Sequence, residues 1–267
     1  MTFYSQEGPM IHYHFIDQGK DHALVFIHSL GTDFRIWDEV VNIVIPNVNV
    51  LLYDLRGHGL SDVCPSANGL WDYCSDLIGL LDYLGIKKNV VPIGLSVGGM
   101  IAQLLAARLP AVLSKIILCD TGYKIGNIES WNDRISKIKA DGLPAISAEV
   151  VSRWFGASYK INNPERVRGY INMLERSPLR GYIDTCAAIR DADISQIAEG
   201  INQPTLCLVG DEDRSTTPEE VKTLSLLIKG SKFIVIDGSG HLPCLDNPDK
   251  LARIILQFIY GTDRLVS

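Results

Sequence analysis

A serine flanked by glycines, in the segment Gly94-Leu95-Ser96-Val97-Gly98-Gly99, is the residue of this chain best placed to act as a nucleophile. Small and apolar residues precede it over 90–93, and a helix-like stretch follows over 100–109. A strand that turns directly into a helix holds its central serine in a strained backbone conformation, for which only flanking glycines leave room. The hydroxyl then projects beside free N–H groups at the helix N-terminus, where a developing oxyanion is stabilised. The spacing predicts a nucleophile elbow centred on Ser96.

A serine hydroxyl needs a base to remove its proton, and His241 is the best placed of six histidines. It stands in Asp237-Gly238-Ser239-Gly240-His241-Leu242-Pro243, a loop after the last predicted strand that can bring an imidazole over the carboxyl edge of a sheet. The other histidines lie in or near the early strands and turns: His12, His14, His22, His28 and His58. A structural role is the alternative for His241, but its position after the final strand favours catalysis.

The carboxylate that orients this histidine is expected on the loop after the penultimate strand, between the serine and the histidine in the chain. The segment Gly210-Asp211-Glu212-Asp213-Arg214 occupies that place and offers three carboxylates. Asp211 begins the loop, which suits turn capping, whereas Asp213 extends further along the edge toward His241. We therefore predict Asp213 as the acid. Asp120 remains a rival, because it ends the strand that follows the elbow helix, and a carboxylate there also reaches a catalytic histidine.

An oxyanion formed at the serine needs two N–H donors, one from the residue after the nucleophile and one from the loop after an early strand. Val97 supplies the first. Leu30, in His28-Ser29-Leu30-Gly31-Thr32, is the predicted second donor, because Gly31 allows the backbone to turn that amide inward. The alternative for this loop is an ordinary strand-to-helix turn.

The elements that must position these residues alternate between strand-like and helix-like patterns. Apolar runs of strand length cover 12–17, 23–28, 48–53, 90–93, 115–119, 205–209 and 233–236, the first of them an expected antiparallel strand. Segments with helical periodicity cover 35–43, 71–84, 99–109, 218–228 and 248–258. This alternation predicts an α/β fold with a mostly parallel central sheet and helices on both faces.

The alternation stops between residues 121 and 192, where helix-like pieces rich in Trp, Tyr and Arg take over. It resumes near Pro204, so both ends of this segment return to one edge of the sheet. We expect a helical cap at 121–192, inserted over the active site of a core formed by 1–120 and 193–267. The cap holds 11 Lys and Arg against 8 Asp and Glu, in a chain whose net charge is −6. It is the basic part of an acidic protein.

Composition limits the function classes. The 267 residues, 46% of them hydrophobic, can bury a large core without disulfides. The net charge of −6 excludes a typical nucleic-acid-binding surface, and polar residues interrupt the longest apolar region, 40–53, so no membrane span is predicted. Residues 1–9 lack the pattern of a signal peptide, and six dispersed cysteines without a C-x-x-C pair favour reduced thiols in the cytoplasm. No metal or cofactor is expected.

With these motifs together, the chain resembles the α/β-hydrolase superfamily over essentially its whole length. The resemblance includes the elbow, the D-x-R-G-H-G-x-S turn in Asp54-Leu55-Arg56-Gly57-His58-Gly59-Leu60-Ser61, and a histidine loop from Gly240 to Pro248. It implies a catalytic triad of Ser96, Asp213 and His241.

A narrower resemblance is to 3-oxoadipate enol-lactonases. It rests on the segment His28-Ser29-Leu30-Gly31-Thr32-Asp33-Phe34-Arg35-Ile36-Trp37, the elbow through Met100, the cap sequence Arg153-Trp154-Phe155, and the run from Gly181 to Asp193. Ser29 stands where most α/β-hydrolases have Gly and these lactonases often have Ser. His28 departs from their commonest pattern, in which Asn is frequent. The resemblance implies hydrolysis of a cyclic enol ester in the β-ketoadipate route of aromatic breakdown.

A small anionic lactone would suit a basic cap, because a fixed cation and long-range steering both favour an anion. Trp131 and Arg134 are three residues apart and share a helical face, and Trp154 lies in the next aromatic cluster, so we expect these three to line the pocket. Plain packing within the cap is the alternative for each. A different carboxylesterase, a perhydrolase-type relative and a slow-turnover small-molecule receptor are the alternative functions.

Overall fold

A computed structural model describes residues 2–5, 8–64 and 69–261 of the chain. Its centre is an eight-stranded sheet in the order β1-β2-β4-β3-β5-β6-β7-β8. The strands are β1 (Thr2–Tyr4), β2 (Ile11–Ile16), β3 (Ala23–Ile27), β4 (Asn49–Tyr53), β5 (Val90–Leu95), β6 (Ile116–Cys119), β7 (Thr205–Gly210) and β8 (Lys232–Ile236). The pairs from β4 through β8 are parallel, and β2 runs antiparallel to β4. The predicted α/β class with a mostly parallel sheet is confirmed.

Continuous apolar runs produce the central strands. Every residue of β3, β5, β6 and β7 is buried, as expected for parallel strands covered on both faces. The predicted antiparallel strand at 12–17 forms one residue earlier, as β2. The sequence patterns did not predict β1, which has only three residues and pairs with β2 at the edge of the sheet.

Helices cover both faces of the sheet. They include α1 (Asp38–Val44), which follows a short 3₁₀ turn (Phe34–Trp37), α2 (Leu70–Tyr83) and α3 (Val97–Arg108). Five more helices follow β6: α4 (Ile128–Asp141), α5 (Pro144–Ser152), α6 (Ala157–Asn162), α7 (Pro164–Glu175) and α8 (Leu179–Arg190). The remaining helices are α9 (Ser195–Glu199), α10 (Pro218–Leu227), α11 (Pro243–Asp246) and α12 (Pro248–Tyr260). Helix α1 packs against α12, and α2 packs against α3.

Helices α4 to α8 lie in the chain between β6 and β7, which are neighbours in the sheet. The segment 121–192, called the helical insert below, therefore leaves the sheet and returns to it at adjacent strands. A backbone hydrogen bond from Ile194 to the carbonyl of Tyr123 joins its two ends (3.0 Å). The insert contacts the core where the hydroxyls of Tyr73 and Thr185 hydrogen bond (2.7 Å) and where the backbones of Gly57 and Gly181 meet too closely for a side chain.

The register of the parallel strands brings their carboxyl ends to one edge of the sheet. Ile27 pairs with Gly94, Leu95 with Cys119, and Gly210 with Ile236. The loops that follow β3, β5, β7 and β8 therefore open at the same edge, which is where open α/β sheets place their ligands.

Within the described ranges, no helix is both long and apolar enough to cross a membrane. Residues 1, 6 and 7, on which the expectation about a signal peptide partly depends, lie outside the described residues.

Candidate active site

The backbone at Ser96 turns sharply from β5 into α3. Its φ of 57° is in the left-handed region that residues other than glycine rarely adopt. A side chain at Gly94 would collide with the carbonyl of Gly98, and one at Gly98 with the carbonyl of Ile27. The Thr121 hydroxyl donates to the Ser96 carbonyl (2.6 Å) and so braces the turn. The two glycines are there because the strand, the turn and the helix approach one another without room for side chains.

Two backbone N–H groups beside Ser96 are free to bind an oxyanion. Val97 is the first residue of α3, and Leu30 lies in the loop after β3 that lines the same pocket as Ser96. Neither N–H donates a hydrogen bond within the described part of the chain. The φ of 77° at Gly31, together with the close approach of Leu174 and Tyr182, explains why glycine follows Leu30. The pair has the character of an oxyanion hole.

His28 holds the Leu30 loop in place. Its Nε2 accepts the N–H of Leu55 (2.9 Å), which leaves Nδ1 to donate to the carbonyl of Ser29 (2.9 Å). Burial lowers the pKa of His28, so the ring stays neutral and keeps this tautomer. The Thr32 hydroxyl donates to the same Ser29 carbonyl (2.9 Å). His28 therefore has a structural role: it fixes the backbone of the loop that contains Leu30.

The D-x-R-G-H-G-x-S turn also supports the loop that contains Leu30. Asp54 accepts the N–H groups of Phe34 (3.0 Å) and Leu60 (2.9 Å) and bonds to the ring of His12 (2.7 Å). Arg56 forms a buried ion pair with Asp76 (2.6 Å) that ties the turn to α2. These residues position other residues and do not line the pocket that contains Ser96.

His241 and Asp213 form a buried pair. The distance from His241 Nδ1 to Asp213 Oδ2 is 2.8 Å, and the two side chains are 5% and 0% exposed. Asp213 also accepts the N–H groups of Ser215 (2.7 Å) and Thr216 (3.2 Å) and the Thr216 hydroxyl (2.8 Å). Burial alone would raise the pKa of Asp213, but His241 and these donors outweigh it and hold the pKa below its usual value. Asp213 is thus an ionised carboxylate bound to Nδ1 of His241, and this bond leaves Nε2 of the ring available to another partner.

Among the carboxylates of this loop, Asp213 is the one bound to His241. Asp211 is exposed and accepts the N–H of Ser239 (3.2 Å), while Glu212 accepts the N–H of Ala157 (2.8 Å). Ser96 and His241 line one pocket, and no hydrogen bond joins them among the described residues. Catalytic hydrogen bonds are often long until a substrate is bound.

Asp246 anchors the histidine loop to the helical insert. Its Oδ2 accepts the N–H groups of Gly240 (2.6 Å) and Gly156 (3.0 Å), one from each side of this contact. The N–H of Leu242 donates to the carbonyl of Trp154 (2.9 Å). The position of the imidazole therefore depends on the insert as well as on the sheet.

The pocket above Ser96 has a volume of about 170 Å³. It contains all three insert residues expected from the sequence, Trp131, Arg134 and Trp154. Arg134 lies over the ring of Trp131 at 4.7 Å, and the indole N–H of Trp131 donates to the carbonyl of Ile125 (2.7 Å). The two tryptophans shape the wall, and Trp131 sets the place of the guanidinium.

Several other lining residues escaped the sequence analysis, notably Tyr182, Arg153, Arg214 and Ser215. Arg214 and Ser215 directly follow Asp213 in the same loop, and this position could have predicted that they line the pocket. Tyr182 lies in the middle of α8, and nothing in the local pattern distinguishes it from a packing residue. Its hydroxyl is buried and has no hydrogen-bond partner among the described residues.

The charge of the pocket is one-sided. Three arginines line it, Arg134, Arg153 and Arg214, and no aspartate or glutamate does within the described residues. Arg153 is paired with Glu149, but neither Arg134 nor Arg214 forms an ion pair within the described ranges. Two uncompensated guanidinium groups at a buried nucleophile favour an anionic ligand.

Comparison with known proteins places this geometry in a family context. Residues 24–254 match the family model described as the alpha/beta hydrolase family. Over 237 residues, the chain is 32% identical to 3-oxoadipate enol-lactonase 1 of Acinetobacter baylyi, which covers 89% of this chain and 88% of the relative.

Solved structures agree closely with the fold. The enol-lactonase from Burkholderia xenovorans LB400 superposes with a TM-score of 0.91 at 29% identity, over 97% of this chain and 99% of that one. A thermophilic esterase from Thermogutta terrifontis, solved with malate bound, superposes with a TM-score of 0.89 at 26% identity, over 97% of each chain.

The loop after β7 supplies a matched pair of substitutions. We expect Asp213→Asn to lower kcat for ester hydrolysis by about 10⁴, because an amide cannot hold His241 in the required tautomer. Asp211→Asn, which removes the same charge two residues away, should stay within about threefold of the wild type, since Asp211 holds only the N–H of Ser239. Steady-state kinetics on any ester that the enzyme turns over checks both. A reversed order of severity contradicts the role given to Asp213.

A second expectation concerns pH and stability. Burial raises the pKa of Asp246 to about 6, and Oδ1 is buried without a partner. Because the folded-state pKa lies above the unfolded one, the protonated form stabilises the fold at low pH, and that contribution is lost as pH rises through about 6. Asp246→Asn should therefore raise the free energy of unfolding above pH 7 by at most about 3 kcal/mol, and Tm should rise with it.

Thermal unfolding followed by circular dichroism from pH 4 to 8 tests this expectation. The advantage of the Asn variant should shrink steadily toward pH 4. A variant that is destabilised at pH 8, or equally stabilised at every pH, would show that the carboxyl is not protonated in the way described.

Proposed function

We propose that this chain, which belongs to the α/β-hydrolase family and is a carboxylic ester hydrolase, hydrolyses 3-oxoadipate enol-lactone to 3-oxoadipate. The observation that carries the proposal is the pocket at Ser96, whose wall has arginines and, among the described residues, no carboxylate. An enol-lactone with a free carboxylate combines the reactive ester that the serine requires with the negative charge that the arginines favour. The match to enol-lactonases across almost the whole chain supports this choice over other esters.

Acylation begins with proton transfer. His241, held through Nδ1 by Asp213, takes the proton of the Ser96 hydroxyl as the oxygen attacks the lactone carbonyl. The N–H groups of Leu30 and Val97 bind the oxygen that becomes negative. Both belong to the backbone of ordered elements, and donors fixed in this way need little reorganisation as the charge develops.

Ring opening releases an enol oxygen that remains attached to the acyl group. His241 returns its proton to this oxygen, and the enol then becomes a ketone, which makes reclosure of the ring unfavourable. Water enters, and His241 takes its proton while it attacks the acyl-enzyme. His241 then returns this proton to the oxygen of Ser96 as the acyl bond breaks, which leaves free Ser96 and the 3-oxo diacid.

The helical insert, 121–192, acts in this proposal as a cap that selects the substrate. The carboxylate of the lactone pairs with Arg134, which the ring of Trp131 supports, while Trp154 closes the wall beside His241. Burial in a small pocket strengthens such a pair relative to one in water. The esterase from Thermogutta terrifontis was solved with malate, a small dicarboxylate, and this adds support for anion binding on the same fold.

The reaction belongs, in this proposal, to aromatic breakdown by the β-ketoadipate pathway in the cytoplasm. The six free cysteines, five of them buried, are in keeping with a reducing compartment. No cofactor takes part in the steps described, and the partner is the small anionic lactone itself.

A spectroscopic assay with the enol-lactone beside a neutral p-nitrophenyl ester tests the function. We expect the lactone to be preferred in kcat/KM, and Ser96→Ala to lower kcat by roughly 10⁴- to 10⁶-fold while the circular dichroism spectrum stays unchanged. Fast turnover of the neutral ester with none of the lactone would instead identify a general carboxylesterase. Ser96→Ala with full activity would refute the serine mechanism.

Arg134 provides the test of charge recognition. Arg134→Gln keeps much of the packing on Trp131 but removes the charge, so KM for the anionic lactone should rise about 10- to 100-fold, the worth of a hydrogen bond to a charged group. The neutral ester should change by less than about threefold in kcat/KM. Arg168→Gln, an exposed site on the insert outside the pocket, is the matched control. An equal loss on both substrates would mean that Arg134 only packs.

A further inference from the structure

Asp120 is a buried acid beside the proposed triad that the mechanism above does not use. It follows β6 directly, is 0% exposed, and has a φ of 45°, in the left-handed region. Its Oδ1 accepts the N–H of Gly210 at the end of β7 (2.9 Å). The side chain therefore bridges the two strands between which the helical insert leaves and returns.

The carboxyl group of Asp120 lies next to the pair formed by Asp213 and His241. One oxygen of Asp120, one of Asp213 and a ring nitrogen of His241 all lie within 4.8 Å of one another. Asp120 Oδ2 is buried and receives no hydrogen bond from any described residue. An ionised oxygen in that position would be an uncompensated charge beside a second carboxylate, which is costly.

Protonation removes this conflict. Burial, followed by the negative charge of Asp213, raises the pKa of Asp120 well above its ordinary value. The charge of Asp246 raises it further, and the N–H of Gly210 acts in the opposite direction. The pair then carries a single negative charge, which resides on Asp213, because His241, Ser215 and Thr216 favour the ionised form there.

We propose that Asp120 is a positioning residue, a neutral acid whose Oδ2–H donates a hydrogen bond to the carboxylate of Asp213. Asp120 accepts from Gly210 with one oxygen and donates with the other, so it fixes the rotamer of Asp213 relative to β7. It also supplies a further donor to a charge that must persist while His241 carries the proton of Ser96. This inference rests on the proposed ester hydrolysis, since it assigns the residue that supports its acid.

The two carboxyl groups therefore divide the roles that the sequence left open. Asp213 is ionised and touches His241, and Asp120 acts through Asp213. Asparagine is a close mimic of a protonated aspartate, because its carbonyl accepts and its amide donates. It also tolerates a positive φ better than most residues. Alanine can neither accept nor donate.

The experiment compares Asp120→Ala and Asp120→Asn on an ester that the wild type hydrolyses. We expect Asp120→Ala to lower kcat about tenfold or more with KM nearly unchanged, and Asp120→Asn to recover most of that loss. The downfield proton resonance of His241 Nδ1 should shift or broaden in the Ala variant and return in the Asn variant. Asp211→Asn is the matched control for charge removal near the loop.

A double-substitution cycle separates positioning from general damage. If Asp120 acts through Asp213, Asp120→Ala should cost little more once Asp213→Asn is present. If Asp120→Ala lowers kcat by the same factor in the Asp213→Asn variant as in the wild type, the proposal is overturned. It is also overturned if Asp120→Ala alone keeps wild-type activity. A loss in Asp120→Asn as severe as in Asp213→Asn also overturns it, because Asp120 would then be the ionised acid. If the wild type hydrolyses no ester, it is the proposed function that fails, which distinguishes the two failures.

Discussion

The strained turn at Ser96 determines what the surrounding elements have to be. A non-glycine residue with φ of 57° persists only where neighbouring structure over-determines it. Here β5 enters the turn fully buried, α3 leaves it with its first ten residues buried, and the Thr121 hydroxyl holds the carbonyl in between. The glycines at 94 and 98 follow from the same crowding, since the helix passes directly over β3 and β5. The parallel sheet thus supplies the rigidity that stores this strain, and it places Ser96 at the pocket that Leu30 also lines.

The negative charge of Asp213, which is buried beside His241, is compensated locally. The protein is acidic overall, with a net charge of −6, yet the described residues that line the pocket include three arginines and no aspartate or glutamate. Asp213 lies behind His241 and is neutralised locally by a cluster of donors. An anionic ligand in the pocket therefore meets Arg134 and Arg214 and not the carboxylate that orients the base. Separating the two charges by an imidazole lets one small site hold an acid and attract an anion.

Chain order predicted much of this site, because each strand of a parallel sheet delivers its following loop to the same edge. Ser96, Asp213 and His241 each follow a predicted strand, and Leu30 follows another, so their proximity could be anticipated from the fold alone. Tyr182 could not, because its place in the pocket depends on how α8 packs on the core. The sequence did not predict strand β1 for a different reason, because three residues show too little periodicity to distinguish a strand from a loop. The protonation of Asp120 depends on distances across β6 and β7 that no sequence pattern expresses.

The proposed division between a core that carries the triad and an insert that selects the substrate is less sharp than the chain order suggests. The histidine loop is tied to the insert at two points, by the bond from Leu242 to Trp154 and by the carboxylate of Asp246, which holds Gly240 and Gly156 together. A displacement of the insert that changes the pocket wall must therefore also move His241. In turn, the imidazole is placed correctly only when Trp154 is in position beside it. In the proposed mechanism, the contacts that shape the pocket wall also position His241. A change in the insert that admits a larger ester should therefore also disturb the geometry of proton transfer from Ser96 to His241.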